Sequence, residues 1–91
     1  MAYRISVLPS AESDLEQLDP EVRGRILRRI VWLGENAAQV IHHPLASMPD
    51  ELLGLCRLRV GDYRVLYRPD HGQEILKVYR IQHRSEVYRR L

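Results

Sequence analysis

The stretch that decides the fold runs LGLCRLRV at 53–60, GD at 61–62, YRVLYR at 63–68, PDHG at 69–72 and EILKVYRI at 74–81. Three runs rich in β-branched and aromatic residues are separated by two turn signals, the pattern of an antiparallel meander. It predicts strands over residues 53–60, 63–68 and 74–81. Side chains on a strand alternate between faces. One face of the first strand then carries Cys56, Leu58 and Val60, and the other Leu55, Arg57 and Arg59. In the second, Tyr63, Val65 and Tyr67 oppose Arg64, Leu66 and Arg68; in the third, Leu76, Val78 and Arg80 oppose Ile75, Tyr79 and Ile81. One sheet face is apolar enough to receive helices. The other gathers Arg57, Arg59, Arg64 and Arg80, with Arg84 and Tyr88 close behind in the chain.

Upstream, Tyr3 to Leu8 alternates as a strand and Pro9 ends it. Ser10 is the expected cap of a first helix with Ala11, Leu15 and Leu18 on one face. Asp19-Pro20 starts a second, in which Val22, Ile26, Ile30 and Leu33 recur at helical spacing up to Gly34. Residues 35–50 lose periodicity, contain Pro44 and Pro49, and read as a loop. The order is β-α-α-β-β-β. The expected fold is α+β, a single domain over 1–91 in which two packed N-terminal helices cover a mostly antiparallel sheet.

Hydrophobic residues make up 45% and charged residues 29% of the 91 positions, which excludes a disordered chain. Cys56 is the only cysteine, so no internal disulfide forms and a cytoplasmic location is expected. In a strand between Leu55 and Arg57 it reads as a small buried apolar residue. Met1 to Leu8 has no unbroken apolar core of a signal peptide, and no run approaches the length needed to span a bilayer. His42 and His43 are adjacent, so their side chains diverge, and no further ligands lie at suitable spacing. Neither a metal nor another cofactor is expected.

Charge is unevenly distributed. Residues 1–54 hold five Arg and eight acids, a net of −3, whereas residues 55–91 hold eight Arg, one Lys and four acids, a net of +5. Thirteen of the fourteen basic residues are Arg, whose planar fork suits phosphate and stacks on bases. A sheet face of clustered Arg beside an aromatic ring suits single-stranded RNA. The competing reading is a solvated face with cross-strand pairs to Asp62, Asp70 or Glu74.

The segment Arg57-Leu-Arg-Val-Gly-Asp-Tyr-Arg-Val-Leu-Tyr-Arg68, followed by Val78-Tyr-Arg-Ile-Gln-His-Arg-Ser-Glu-Val-Tyr88, resembles the RelE/ParE toxin superfamily. The likeness extends over nearly the whole chain, including Ala11, Leu15 and Pro44-Leu45. It implies the RelE-like fold and the toxin of a type II toxin–antitoxin system, neutralised by a RelB-like antitoxin. In the RelE branch the toxin enters the ribosomal A site and cleaves messenger RNA without a metal, by attack of a 2′-hydroxyl on the adjacent phosphate. By this resemblance Arg64 stabilises transition-state charge and Arg57 matches a catalytic basic position. Arg59 flanks it, Arg84 is the arginine of the Arg-Ser-Glu-Val-Tyr segment, and Tyr88 orients or stacks on a base. Arg59, Arg68 and Arg80 are expected to bind RNA.

Two positions depart from the superfamily's best-known branch, which has lysine where this chain has Leu55 and arginine where it has Gln82. Arg57 supplies charge but is a poor proton-transfer group. His83 is the replacement that titrates in the right range, although strict alternation points it away from Arg80 and Gln82. Three alternatives stay open: a ParE-like inhibitor of DNA gyrase, a ribosome- or RNA-binding protein that blocks translation without cutting, and a degenerate toxin kept as an antitoxin partner.

Overall fold

Gly61 adopts a φ of +60°, a left-handed conformation that glycine enters without strain, and with Asp62 it makes the two-residue connection between two antiparallel strands. Around this hairpin the computed structural model, which describes residues 2–44 and 54–85, builds one five-stranded sheet. Its strands are β1 Arg4–Val7, β2 His43–Pro44, β3 Cys56–Val60, β4 Tyr63–Asp70 and β5 Ile75–His83, in the order β1-β5-β4-β3-β2. The β3-β4-β5 meander is antiparallel as the sequence predicts. β1 lies parallel to β5 at one edge, and β2 antiparallel to β3 at the other.

The expected loop is shorter than its composition suggested, because Asn36 still belongs to the second helix and His43 and Pro44 pair with Arg57 and Cys56. Pro44 fits there because an edge strand can spare one N–H. The rest of that loop, 45–50, and the expected strand start at Leu53 lie outside the described residues. β4 outruns its expected end at Arg68 by two residues, which moves the β4–β5 turn to 71–74, with Glu74 at a φ of 55°.

Both helices begin with proline, whose fixed φ suits the first turn and whose missing N–H is not needed there. α1 spans Pro9–Glu16 and α2 spans Pro20–Asn36. Leu8, not Ser10, holds the cap position of α1, since Pro9 is already helical; Asp19 caps α2 by position, without a side-chain hydrogen bond. Ala11 and Leu15 of α1 and Ile26, Ile30 and Leu33 of α2 are buried at the predicted spacing. Gly34 does not stop α2. It is buried inside it, where an added Cβ would sit 2.5 Å from Ile5 Cδ1 and 3.3 Å from the Tyr3 carbonyl oxygen. The Tyr3 amide donates to the Gly34 carbonyl at 2.8 Å. Any larger residue would have to displace the Ile5 side chain and press on the Tyr3 carbonyl.

Alternation fails once. Leu66 pairs with Arg80 and Tyr67 with Val78, so β5 has one extra residue, a bulge at Tyr79. Arg80 therefore leaves the face of Leu76 and Val78, and Ile81 joins it. Ala11, Leu15, Ile26, Ile30, Val60, Val65, Val78 and Ile81 form one core cluster; Tyr3, Leu33, Ala37, Cys56, Tyr67 and Leu76 form a second. Beside the second cluster a polar clasp ties three segments. Tyr67 donates its hydroxyl to His42 Nδ1 at 2.7 Å, and His42 Nε2 donates to the Ala37 carbonyl at 2.7 Å. The Tyr3 hydroxyl bonds His71 Nδ1 at 2.6 Å, and the two imidazoles stand 5.6 Å apart. Both nitrogens of His42 are thus engaged within the fold. Among the described residues no helix is long and apolar enough to cross a membrane.

Gly34→Ala is predicted to destabilise the protein by about 1–3 kcal/mol in urea unfolding, the usual cost of overpacking. Gly24→Ala, whose added Cβ meets only the flexible Arg28 guanidinium at 3.4 Å, should instead gain roughly 0.5–1 kcal/mol from helix propensity.

Candidate functional site

On the face of the sheet away from the main core, cross-strand pairing builds the site. Arg59 of β3 stands beside Arg64 of β4, and Arg64 beside Gln82 of β5. In the adjoining row Arg57 stands beside Leu66, and Leu66 beside Arg80. Arg57 and Arg59 are exposed, whereas Arg64 is 9% and Gln82 6% exposed. Neighbouring strands lie about 4.8 Å apart, so the backbone positions of Arg57, Arg59 and Arg64 lie close together on one face. Clustered arginines favour an anion, and their planar forks suit phosphate oxygens. Such an arrangement can hold a phosphate and stabilise charge developing on it. Arginine cannot move a proton at a useful rate, and the neighbouring Leu55 and Gln82 are both buried and neutral.

The remaining predicted residues divide. Arg84 follows β5 directly; its amide donates to the Asp62 carbonyl at 2.8 Å, and its exposed side chain lies 4.0 Å from Asp62 Oδ1. That places it at the end of the sheet nearest Arg59 and Arg64. Arg68 is half-buried, with its guanidinium 5.5 Å from the centre of the Tyr79 ring. Arg80 turns to α1, with Nε 2.8 Å from Asp14 Oδ2. His83 pairs with Tyr63 on the helix-covered face, their rings 5.3 Å apart and perpendicular, so it does not share the face of Arg64. Its expected role beside the arginines is not met by this geometry, for the reason alternation predicts. Tyr88 lies outside the described residues.

The sequence did not point to Asp14. Its carboxylate takes Arg80 Nε and Nη2 at 2.8 and 3.2 Å and also the Ile81 amide at 2.9 Å. β1 ends at Val7, opposite Val78, so Asp14 satisfies an edge amide that no strand reaches. An acid in a helix facing an arginine on a distant strand has no local signature. Burial pushes the Cys56 thiol up, against a smaller opposing effect of Arg68, and it pushes the Tyr67 hydroxyl up further. Both side chains therefore stay protonated and serve packing.

Known proteins share this fold. Residues 5–88 match the family described as the ParE toxin of the type II toxin–antitoxin system, parDE. Toxin RelG of Mycobacterium tuberculosis is 29% identical over 90 residues, which cover 99% of this chain and the whole of that protein. The toxin–antitoxin complex RelBE2 of M. tuberculosis contains a chain that superposes with a TM-score of 0.77 at 28% identity, covering 93% of this chain and 94% of that one. The archaeal RelE–RelB complex of Pyrococcus horikoshii OT3 gives 0.71 at 25% identity, covering 92% and 97%.

Asp14→Ala should lower stability by about 1–3 kcal/mol in thermal unfolding, because it removes two charge-assisted bonds to Arg80 and the acceptor of the Ile81 amide. Cys56 should resist a thiol reagent in the folded chain and react fully in denaturant, as its raised pKa and burial require.

Proposed function

This chain belongs to the family of ParE toxins of type II toxin–antitoxin systems, and we propose that it is a RelE-like member that cleaves messenger RNA in the ribosomal A site. One observation carries the reading: Arg57, Arg59 and Arg64 are gathered on adjacent strands of one sheet face. In this reaction the 2′-oxygen of one nucleotide bonds to the adjacent phosphorus, the bond to the 5′-oxygen breaks, and a cyclic phosphate and a 5′-hydroxyl result. Arg64, buried between neighbouring strands, holds the charge of the phosphorane. Arg57 and Arg59 grip the phosphates on either side, and Arg84 takes the strand as it leaves. Tyr88 supplies a ring for a neighbouring base and a hydroxyl for proton transfer. His83 is outside the reacting set, since it lies on the opposite face. The chemistry needs no metal, and a target on the ribosome sets the cytoplasm as the place of action. The relatives crystallised as toxin–antitoxin complexes support a RelB-like antitoxin as the cognate partner.

A second reading, inhibition of DNA gyrase or of the ribosome without cutting, is favoured by one feature. Among the described residues the arginine face carries neutral Leu55 and Gln82 where a proton donor or acceptor would help. The two readings separate in growing cells. Wild type and Arg64→Ala, the variant checked for folding by circular dichroism, are expressed from a repressed promoter and messenger 5′ ends are mapped. The expected result is growth arrest with new 5′ ends inside translated frames, reduced by roughly a hundredfold or more in the variant, as for loss of a charge-stabilising donor. Arrest without new ends would reject cleavage and move the case to gyrase or to simple blocking.

A further inference from the structure

Behind the arginine face, between α1 and the ends of β4 and β5, is an open cavity of about 330 Å³ lined by Asp14, Gln17, Leu18, Tyr63, Ile81 and His83. That volume is at the small end of ligand pockets and suits a single heterocycle. Its walls differ in chemistry. Leu18 and Ile81 are its apolar lining. Tyr63 and His83 present rings at right angles, so a flat ligand can stack on one and meet the edge of the other. The Ser85 amide donates to His83 Nδ1 at 3.3 Å, which makes that nitrogen an acceptor and leaves the donor proton on Nε2. Gln17 is exposed and offers an amide with both a donor and an acceptor. Asp14 is held in place by Arg80 and the Ile81 amide, and a carboxylate has about four acceptor positions, of which three are taken. The cavity thus combines apolar, aromatic and polar lining.

We propose that this cavity is a nucleobase-binding subsite, which takes a base of the RNA that lies on the arginine face. The proposal rests on the RNA reading above and adds a specificity pocket to it. Tyr63 and His83 pair directly beside Arg64 and Gln82, one residue further along each strand and on the opposite face. Arg84 is the next residue after His83 and stands at that same end of the sheet. A strand gripped at Arg64 and rounding this end past Arg84 brings an unstacked base over the cavity. Single-stranded RNA is read in this way, by stacking a splayed base on a ring and bonding its edge.

The test uses the four unphosphorylated nucleosides as probes, so that neither the arginine face nor cleavage enters the result. The full-length chain is titrated with each while the Gln17 side-chain amide and the His83 imidazole are followed by NMR. Saturable shifts at these two groups are expected, with at least one nucleoside binding better than the others. His83→Ala should weaken that binding by roughly tenfold, the scale of one lost base–ring contact. Leu18→Trp should fill the space and abolish it. His83 reaches the surface, so its replacement leaves the fold intact if Leu18→Trp does not. Absence of shifts at Gln17 and His83, or binding unaffected by His83→Ala, would overturn the subsite. Where cleavage is observed in cells, Gln17→Ala should broaden the base composition beside the mapped ends. Unchanged composition would overturn the link to substrate, and nucleoside binding without any cleavage would retain the subsite while rejecting the nuclease reading.

Discussion

The arrangement of this molecule depends on one slip of register. The extra residue at Tyr79 lets Val78 and Ile81 both face the core, where regular alternation would send one of them outward. The same slip turns Arg80 across the edge of the sheet to Asp14, which anchors α1 against β5. Without it α1 would lose its polar anchor and the core would lose Ile81. Bulges place side chains where a regular ladder cannot, and here one bulge fixes helix position, core content and the neutralisation of one arginine.

How much of this could be read from the chain alone follows from the range over which each signal acts. The two helices and the meander are written in local periodicity, and Val22, Ile26, Ile30 and Leu33 or Cys56, Leu58 and Val60 show it directly. The arginine face follows from alternation, so Arg57, Arg59 and Arg64 are legible together. What local pattern cannot carry is a contact between distant segments. Gly34 looks like a helix stop because its reason, the approach of Ile5 and Tyr3, comes from a strand near the other end of the chain. Ser10 looks like a cap because serine usually is one, yet the proline before it already begins the helix. Strict alternation puts Arg80 on the face of Leu76 and Val78, and the bulge that moves it leaves no mark in composition. Pro44, read as a loop breaker, is compatible with a strand only at an edge, and the edge is a property of the sheet.

The arginines also separate by role in a way their number does not reveal. Arg80 is held by an acid at close range and belongs to the fold. Arg68 packs beside the Tyr79 ring. Arg57, Arg59 and Arg64 stand on adjacent strands of one face, where clustered like charge attracts an anion. The histidines divide similarly, with His42 and His71 spent on a polar clasp and His83 set at the rim of the cavity behind the arginines.

The parallel pairing of β1 with β5 has a kinetic consequence. Arg4 lies opposite Ile75, so among the described strands the earliest in sequence docks against the latest. Contacts of such long sequence separation close late. During translation the hairpin of β3 and β4 can form early, but the sheet stays open along one side until β5 has left the ribosome. The arginine row needs β5 as well, since Arg64 is flanked by Gln82. The arginine face is therefore complete only after β5 has been made and has docked beside β4.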